Sequence, residues 1–248
     1  MKDDDFFIGW AETPKVDRRY FMRTGVGLMA ATTVVAGSIA AFQRSAGPGK
    51  HDLHVHEWRG IVTADPYAML RMYDEDGAQR TVLLSCQGKC GVSAKIGNLA
   101  GKPVVVKGSL IKRGRHKMIA VIDGVDWIRE DRDAEVGDLT FPTLEPIMDI
   151  SLNGEILDTK CWFGTMRPSN GKVHKSCASL CIRGGIPPAF YVKDPRDQSA
   201  LMIMTSGGGA YNTDILPFVA DPVAITGQIQ RYGDLLFLDA PVSAIRRL

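Results

Sequence analysis

One stretch of this chain is written twice. Thr81–Val121, "TVLLSCQGKCGVSAKIGNLAGKPVVVKGSLIKRGRHKMIAV", lies without a gap over Ala200–Ala240, "ALMIMTSGGGAYNTDILPFVADPVAITGQIQRYGDLLFLDA", so that Gly88 falls on Gly207, Pro103 on Pro222, Gly108 on Gly227 and Gly114 on Gly233. Upstream, Arg59–Asp65 ("RGIVTAD") matches Asn153–Thr159 ("NGEILDT"). A duplication of this length fixes the architecture before any propensity is consulted, because both copies must satisfy one fold. The two matches are not equally spaced, and the second copy carries about 25 additional residues between Asp158 and Ala200.

Each copy reads as short strands. "PVVVKGSLI" and "PVAITGQIQ" are β-branched runs, each followed by a Gly-containing turn and a further apolar run. About five such strands in each copy predict a small closed barrel of the OB type, with a pair of β-sandwiches as the alternative. The expected fold class is therefore mainly β: an N-terminal transmembrane helix followed by two tandem OB-like β-barrels, the second with a Cys/His-containing insertion. The expected boundaries are a cytoplasmic arm over 1–23, an anchor over 24–42, a linker over 43–54, a first barrel over 55–128, a second linker over 129–149, and a second barrel over 150–248 with its insertion at 159–199. The second linker is first charged and then Pro-containing, as a boundary segment is. Trp58, Tyr67, Trp127, Phe190, Phe218 and Phe237 read as barrel core or strand-end packing.

The anchor is expected at Thr24–Phe42, a run without charge about as long as a bilayer's hydrocarbon core is thick. Ahead of it, Arg18, Arg19 and Arg23 form either a positive-inside flank or an export signal. "DRRYFMR" resembles the twin-arginine signal, with Asp17 in place of the usual Ser or Thr. Rieske-type subunits of respiratory complexes are similar in keeping such a segment as a membrane helix. That resemblance implies a bacterial inner-membrane protein, single-pass, touching the lipid bilayer through 24–42 and placing both barrels in the periplasm. Phe6, Phe7, Ile8 and Trp10 on the preceding arm would lie at the membrane interface or dock on another subunit.

A formal charge of +2 gives no concentrated basic face for phosphate, so nucleic acid is excluded as a partner despite the OB-like pattern. Chemistry concentrates in the cysteines. Cys86 and Cys90 read as a short-loop disulfide, with a contribution to a metal site as the alternative; Thr205 and Gly209 stand at the matching positions of the second copy, so the barrel does not require cysteine there. In the insertion, a helical turn through "VHKSCASLC" would place His174, Cys177 and Cys181 on one face. Cys161 could complete a four-coordinate shell and Met166 could add a weak thioether. Copper and zinc both suit such donors. A disulfide that pins the insertion, leaving one free thiol, fits the same residues, and thiol redox chemistry is the third option. His54 and His56, alternating on an extended segment, form a weaker candidate for metal. His116 reads as a surface residue.

The pattern Asp158, Lys160, Cys161, His174, Cys177, Ala178, Cys181, Gly184, Gly185 resembles that of small exported bacterial domains with a D-x-K-C strand end, a histidine, C-A-x-x-C and a Gly-rich turn into a strand. The resemblance covers Asn153–Leu248 and implies an OB-like fold without an established activity. No nucleophile with a recognisable base motif is present, which favours a binding protein or subunit over an enzyme. The expected function is an accessory subunit of an electron-transfer membrane complex carrying a Cys/His metal site. A stand-alone periplasmic copper-handling or thiol-redox protein and a purely structural assembly subunit are the alternatives.

Overall fold

The structure, a computed structural model, describes residues 15–42, 49–133, 137–193, 199–211 and 213–248; within the first segment it describes the side chains of 15–30, 32 and 33. Positions 1–14 of the expected arm over 1–23, with the interface candidates Phe6, Phe7, Ile8 and Trp10, and linker positions 43–48 lie outside the described residues. Two compact units result, Met1–Ser45 and Ala46–Leu248.

The first unit holds one helix, α1 (Lys15–Phe42). Its first turns carry Lys15, Asp17, Arg18, Arg19 and Arg23. Beyond them Thr24, Gly25, Gly27, Thr32 and Thr33 interrupt the apolar residues, and both Thr32 and Thr33 hydroxyls donate back to main-chain carbonyls, those of Leu28 (2.6 Å) and Met29 (2.8 Å). Among the described residues no helix is long and apolar enough to cross a membrane. This overturns the expected transmembrane span at 24–42, its lipid contact and the single-pass inner-membrane location. Within 24–33, Thr24, Gly25, Gly27, Thr32 and Thr33 reduce the apolar surface that a hydrocarbon core would meet.

The second unit holds both copies of the repeat. The first copy runs β1 (Lys50–His51), β2 (His56–Thr63), β3 (Met69–Tyr73), β4 (Gln79–Ser85), β5 (Pro103–Arg113), β6 (His116–Val121) and β7 (Ile128–Glu130). The second runs β8 (Glu145–Asp158), α2 (Lys175–Arg183), β9 (Pro188–Val192), β10 (Ala200–Ser206), β11 (Gly209–Ala210), β12 (Pro222–Tyr232), β13 (Leu235–Asp239) and β14 (Ile245–Arg247). In the first copy β5-β2-β3-β4-β6 are hydrogen-bonded in that order and β6 returns to β5, closing a five-stranded barrel. In the second copy β12-β8-β9-β10-β13 close in the same way. The third and fifth barrel strands pair in parallel in each copy and every other barrel pairing is antiparallel, which is the OB arrangement.

Register shows how deep the duplication goes. Gly108 pairs with Val121 in the first copy, and the matched residues Gly227 and Ala240 meet at the same corner of the second. A Cβ on Gly108 would lie 2.6 Å from the carbonyl of Ala120, and one on Gly227 would lie 2.6 Å from that of Asp239. The same steric constraint therefore keeps glycine at both sites. One difference is visible: Leu83 faces Met118, whereas Ile203 rather than Met202 faces Phe237, so β10 sits one residue on from the gapless alignment.

Apolar side chains alternate between two destinations along the strands. Leu70, Val82, Leu84, Ile119 and Val121 fill the first barrel, and Met202, Met204, Val223, Ile225 and Leu238 fill the second. The intervening residues, Met69, Leu83, Met118 and Ala120 from one copy and Ala189, Leu201, Ile203 and Phe237 from the other, form a third apolar layer between the barrels. Each fully buried Leu, Ile, Met or Phe among them contributes roughly 1.5–3 kcal/mol. Matched strands, β3, β4 and β6 against β9, β10 and β13, supply the two sides of that layer. Polar links reinforce it: Tyr67 donates to the carbonyl of Met204 (2.6 Å), and the carboxylate of Asp234 accepts from the backbone N–H of Thr81 (2.9 Å) and from Arg71 (3.2 Å).

Candidate metal and thiol site

The insertion begins where β8 ends. Asp158, Thr159 and Lys160 are buried, and the chain then makes one wide helical turn over Cys161–Thr165 that Gly164 ends at φ 152°. This turn puts Cys161, Trp162 and Phe163 into the layer between the barrels. His116 of β6 meets the rings of Trp162 and Phe163, each at 5.5 Å, so it is half-buried rather than on the surface. Burial and the nearby arginines hold its imidazole down, at about 4. Arg113 lies over Trp162, 4.5 Å from the ring centroid.

After a loop through Met166, α2 places its cysteines by simple periodicity. Cys177 and Cys181 are one turn apart and face the inter-barrel layer, while Ala178 and Ile182 pack into the second barrel's own core. Cys161 and Cys177 come within 3.8 Å at sulfur, and the three sulfurs of Cys161, Cys177 and Cys181 all lie within 4.8 Å of one another. Cys161 and Cys181 are buried, and Cys177 is partly exposed. The three cysteines could hold a metal ion. They are not bridged in the structure.

A second group overlaps the first. Asp158, Cys161 and His174 also have their donor atoms within 4.8 Å of one another. Asp158 is the hub: one carboxylate oxygen accepts the backbone N–H of Cys161 at 2.8 Å, and the other pairs with Nε2 of His174 at 2.9 Å. Both side chains are almost fully buried. His174 therefore sits beside the thiols, engaged by Asp158, and is not one of the three-thiol group. Met166 is exposed and lies outside both groups.

The first barrel closes the site from the other side. Cys86 and Cys90 are joined by a disulfide, and the backbone N–H of Cys86 donates to the carbonyl of Cys90 at 2.9 Å. Lys89, inside this loop, donates to the sulfur of Cys177 at 3.0 Å. Lys160 reaches back from the insertion and donates to three main-chain carbonyls of the loop, those of Cys86 (2.6 Å), Gln87 (2.9 Å) and Gly88 (2.7 Å). The backbones touch directly at Gly91 and Gly184, where the N–H of Gly91 donates to the carbonyl of Gly184 at 2.8 Å. A Cβ on Gly184 would lie 1.9 Å from the carbonyl of Lys89, so no larger residue permits this approach.

Ionisation within the cluster is uneven. The hydrogen bond to Cys181, burial and the Asp158 charge push the Cys161 thiol far up, and that same hydrogen bond pulls Cys181 down. The contact with Cys177 pushes Lys89 up, and burial pulls Lys160 down. What assembles is a soft, three-sulfur donor set with a cation at its exposed thiol and a second cation beside its buried ones.

His54 and His56 do not join this site. Both are exposed and converge on Asp52, with His54 Nδ1 at 2.9 Å and His56 Nε2 at 3.0 Å. Sequence reasoning did not include Lys89 or Asp158 among the site residues. Their signals were present: a lysine between two cysteines, and an aspartate three residues before a third. No family model and no curated protein matches the chain.

Proposed function

We propose that Cys161, Cys177 and Cys181 bind one cuprous ion and that the chain is a copper-handling protein. The observation that carries this reading is the approach of three sulfurs to within 4.8 Å of one another without a nitrogen or oxygen donor in the same group. Thiolates select soft ions, chiefly cuprous copper and zinc. Zinc in a protein site almost always takes four ligands, and the group whose donor atoms all lie within reach of one another supplies three, all sulfur. Cuprous copper accepts a trigonal three-thiolate set.

Charge supports the same choice. Three thiolates around a monovalent ion make a doubly negative centre, which the two lysines beside it offset; around zinc the centre is singly negative. Cys177, partly exposed, gives the ion a surface outlet through which it can be received or passed on. The same outlet supports the wider reading of an accessory subunit in an electron-transfer assembly, which is tested by copurification of the native protein with cytochromes; a monodisperse lone species counts against it.

Anaerobic titration of the reduced protein with cuprous ion, in competition with a chromogenic chelator, tests the copper reading. One ion per chain is expected, with loss of binding in Cys161→Ser and in Cys177→Ser. Recovery of a Cys161–Cys177 disulfide from protein purified anaerobically, with no thiol-dependent copper, would overturn it. A tighter zinc complex that is lost in His174→Ala would replace copper with zinc.

A further inference from the structure

The three thiols come from the second copy, yet the residue in contact with the exposed one comes from the first. Lys89 stands in the Cys86–Cys90 loop, and its ammonium is 3.0 Å from the Cys177 sulfur. The loop is held from several directions at once: by its disulfide, by the three hydrogen bonds from Lys160, and by the Gly91–Gly184 contact. At the position matching Lys89 the second copy has Gly208, in a two-stranded turn, where no side chain carries a charge. The charge therefore belongs to this loop in particular and is not a requirement of the barrel.

We propose that Lys89 is a specificity-determining residue of the metal site, setting its preference for a monovalent over a divalent ion. This rests on the reading of the three thiols as a metal site. A fixed cation repels a bound ion in proportion to that ion's charge. At about 5 Å and an effective dielectric of roughly 40, each added unit of ion charge weakens binding roughly tenfold relative to a neutral neighbour. Whatever Lys89 does to the thiols themselves, by favouring their ionised form, applies to both ions alike and cancels in the ratio of affinities. The ratio is therefore the quantity that reports the lysine.

The disulfide enters as the support that holds the charge in place. With Cys86 and Cys90 unlinked the loop gains freedom, and Lys89 is less often against Cys177. The selectivity should then fall in the same direction as on removing the lysine, but less far.

The experiment is a pair of competition titrations on the full chain with its insertion thiols reduced and its Cys86–Cys90 disulfide intact, verified by mass spectrometry. Silver(I) is measured against cadmium(II), which avoids copper's redox chemistry, and copper(I) against zinc(II). Lys89 is exposed, so Lys89→Gln is expected to leave the fold unchanged. The expected result is a shift of about tenfold toward the divalent ion in Lys89→Gln, restoration of the wild-type ratio in Lys89→Arg, and a smaller shift of the same sign in Cys86→Ser/Cys90→Ser. A ratio in Lys89→Gln within about twofold of wild type overturns the proposal, and so does an equal shift in Lys89→Arg, because contact rather than charge would then be responsible. If the wild-type protein binds none of the four ions in a Cys177-dependent way, the metal reading itself falls, and this inference falls with it.

Discussion

The two barrels share their strand order, their parallel third-to-fifth pairing and their matched glycine contacts, but each departs from the common plan at a different connection. Between its first and second strands the first copy needs a short turn, whereas the second inserts α2 and the Cys/His cluster there. Between the third and fourth strands the second copy turns at Gly207 and Gly208 into β11, whereas the first carries a disulfide loop. These two departures meet, through Lys160, Lys89 and the Gly91–Gly184 contact. The strands carry the fold and the connections carry the chemistry, as they do in many scaffolds, but here one connection from each copy is needed to complete one site.

The sharpest way to break the comparison is at Asp158, whose matched residue in the first copy is Ala64. Asp158→Ala gives the second copy the first copy's residue, but it strands His174 in the interior and leaves the Cys161 N–H without its acceptor. A loss of about 3–5 kcal/mol in urea denaturation is expected, as when one member of a buried pair is removed. The double variant Asp158→Ala/His174→Ala should lose less than the two single variants summed, since the partners share one interaction.

A smaller effect is expected at the loop. Cys86→Ser/Cys90→Ser makes the first copy rely on hydrogen bonds alone, as the matched turn with Thr205 and Gly209 does. The chain-entropy cost of so short a loop is about 2 kcal/mol, measurable as a lower midpoint of denaturation than that of the disulfide-intact protein. An unchanged midpoint would show that Lys160 and the glycine contact already fix the loop.

The smallest effect is confined to acid. Leu235 occupies the position matching His116, so the second copy does not titrate there. Folded His116 resists protonation down to about 4, while the unfolded chain takes its proton near the ordinary value of 6.5. Between those values the unfolded state binds more protons, so stability falls as pH falls through this window and is unaffected above it. His116→Leu, which copies the second barrel, should remove on the order of 1 kcal/mol of acid sensitivity near pH 5.5, read as a flatter dependence of the denaturation midpoint on pH.

How much of this was legible depended on whether the signal was local. β5 and β12, and β6 and β13, were readable because Pro103/Pro222, Gly108/Gly227 and Gly114/Gly233 punctuate the same β-branched runs. The layer between the barrels was not readable, because strands buried on both faces lose the alternation that distinguishes inside from outside; "TVLLS" says that Leu83 and Leu84 are buried, not that they are buried in different cores. The spacing of Cys177 and Cys181 on one helical face was visible. Their meeting with Lys89 was not, since nothing local ties residues so far apart in the chain. At the N-terminus the absence of charge over 24–42 is legible in the sequence, but among the described residues no helix is long and apolar enough to cross a membrane.

The layer between the barrels has one further consequence. Had two separate copies of this barrel paired through these matched strands, any change made to one would have appeared in the other, and a site with different residues on its two sides would have occurred twice or not at all. Joining the copies in one chain makes their association intramolecular, so it no longer depends on protein concentration. It also frees the two partners to diverge: one side can keep an oxidised cysteine pair and a lysine while the other keeps reduced thiols. The molecule thus has the economy of a dimer, in that one pattern of strands serves twice, with a singularity of composition at its seam that two identical subunits cannot have.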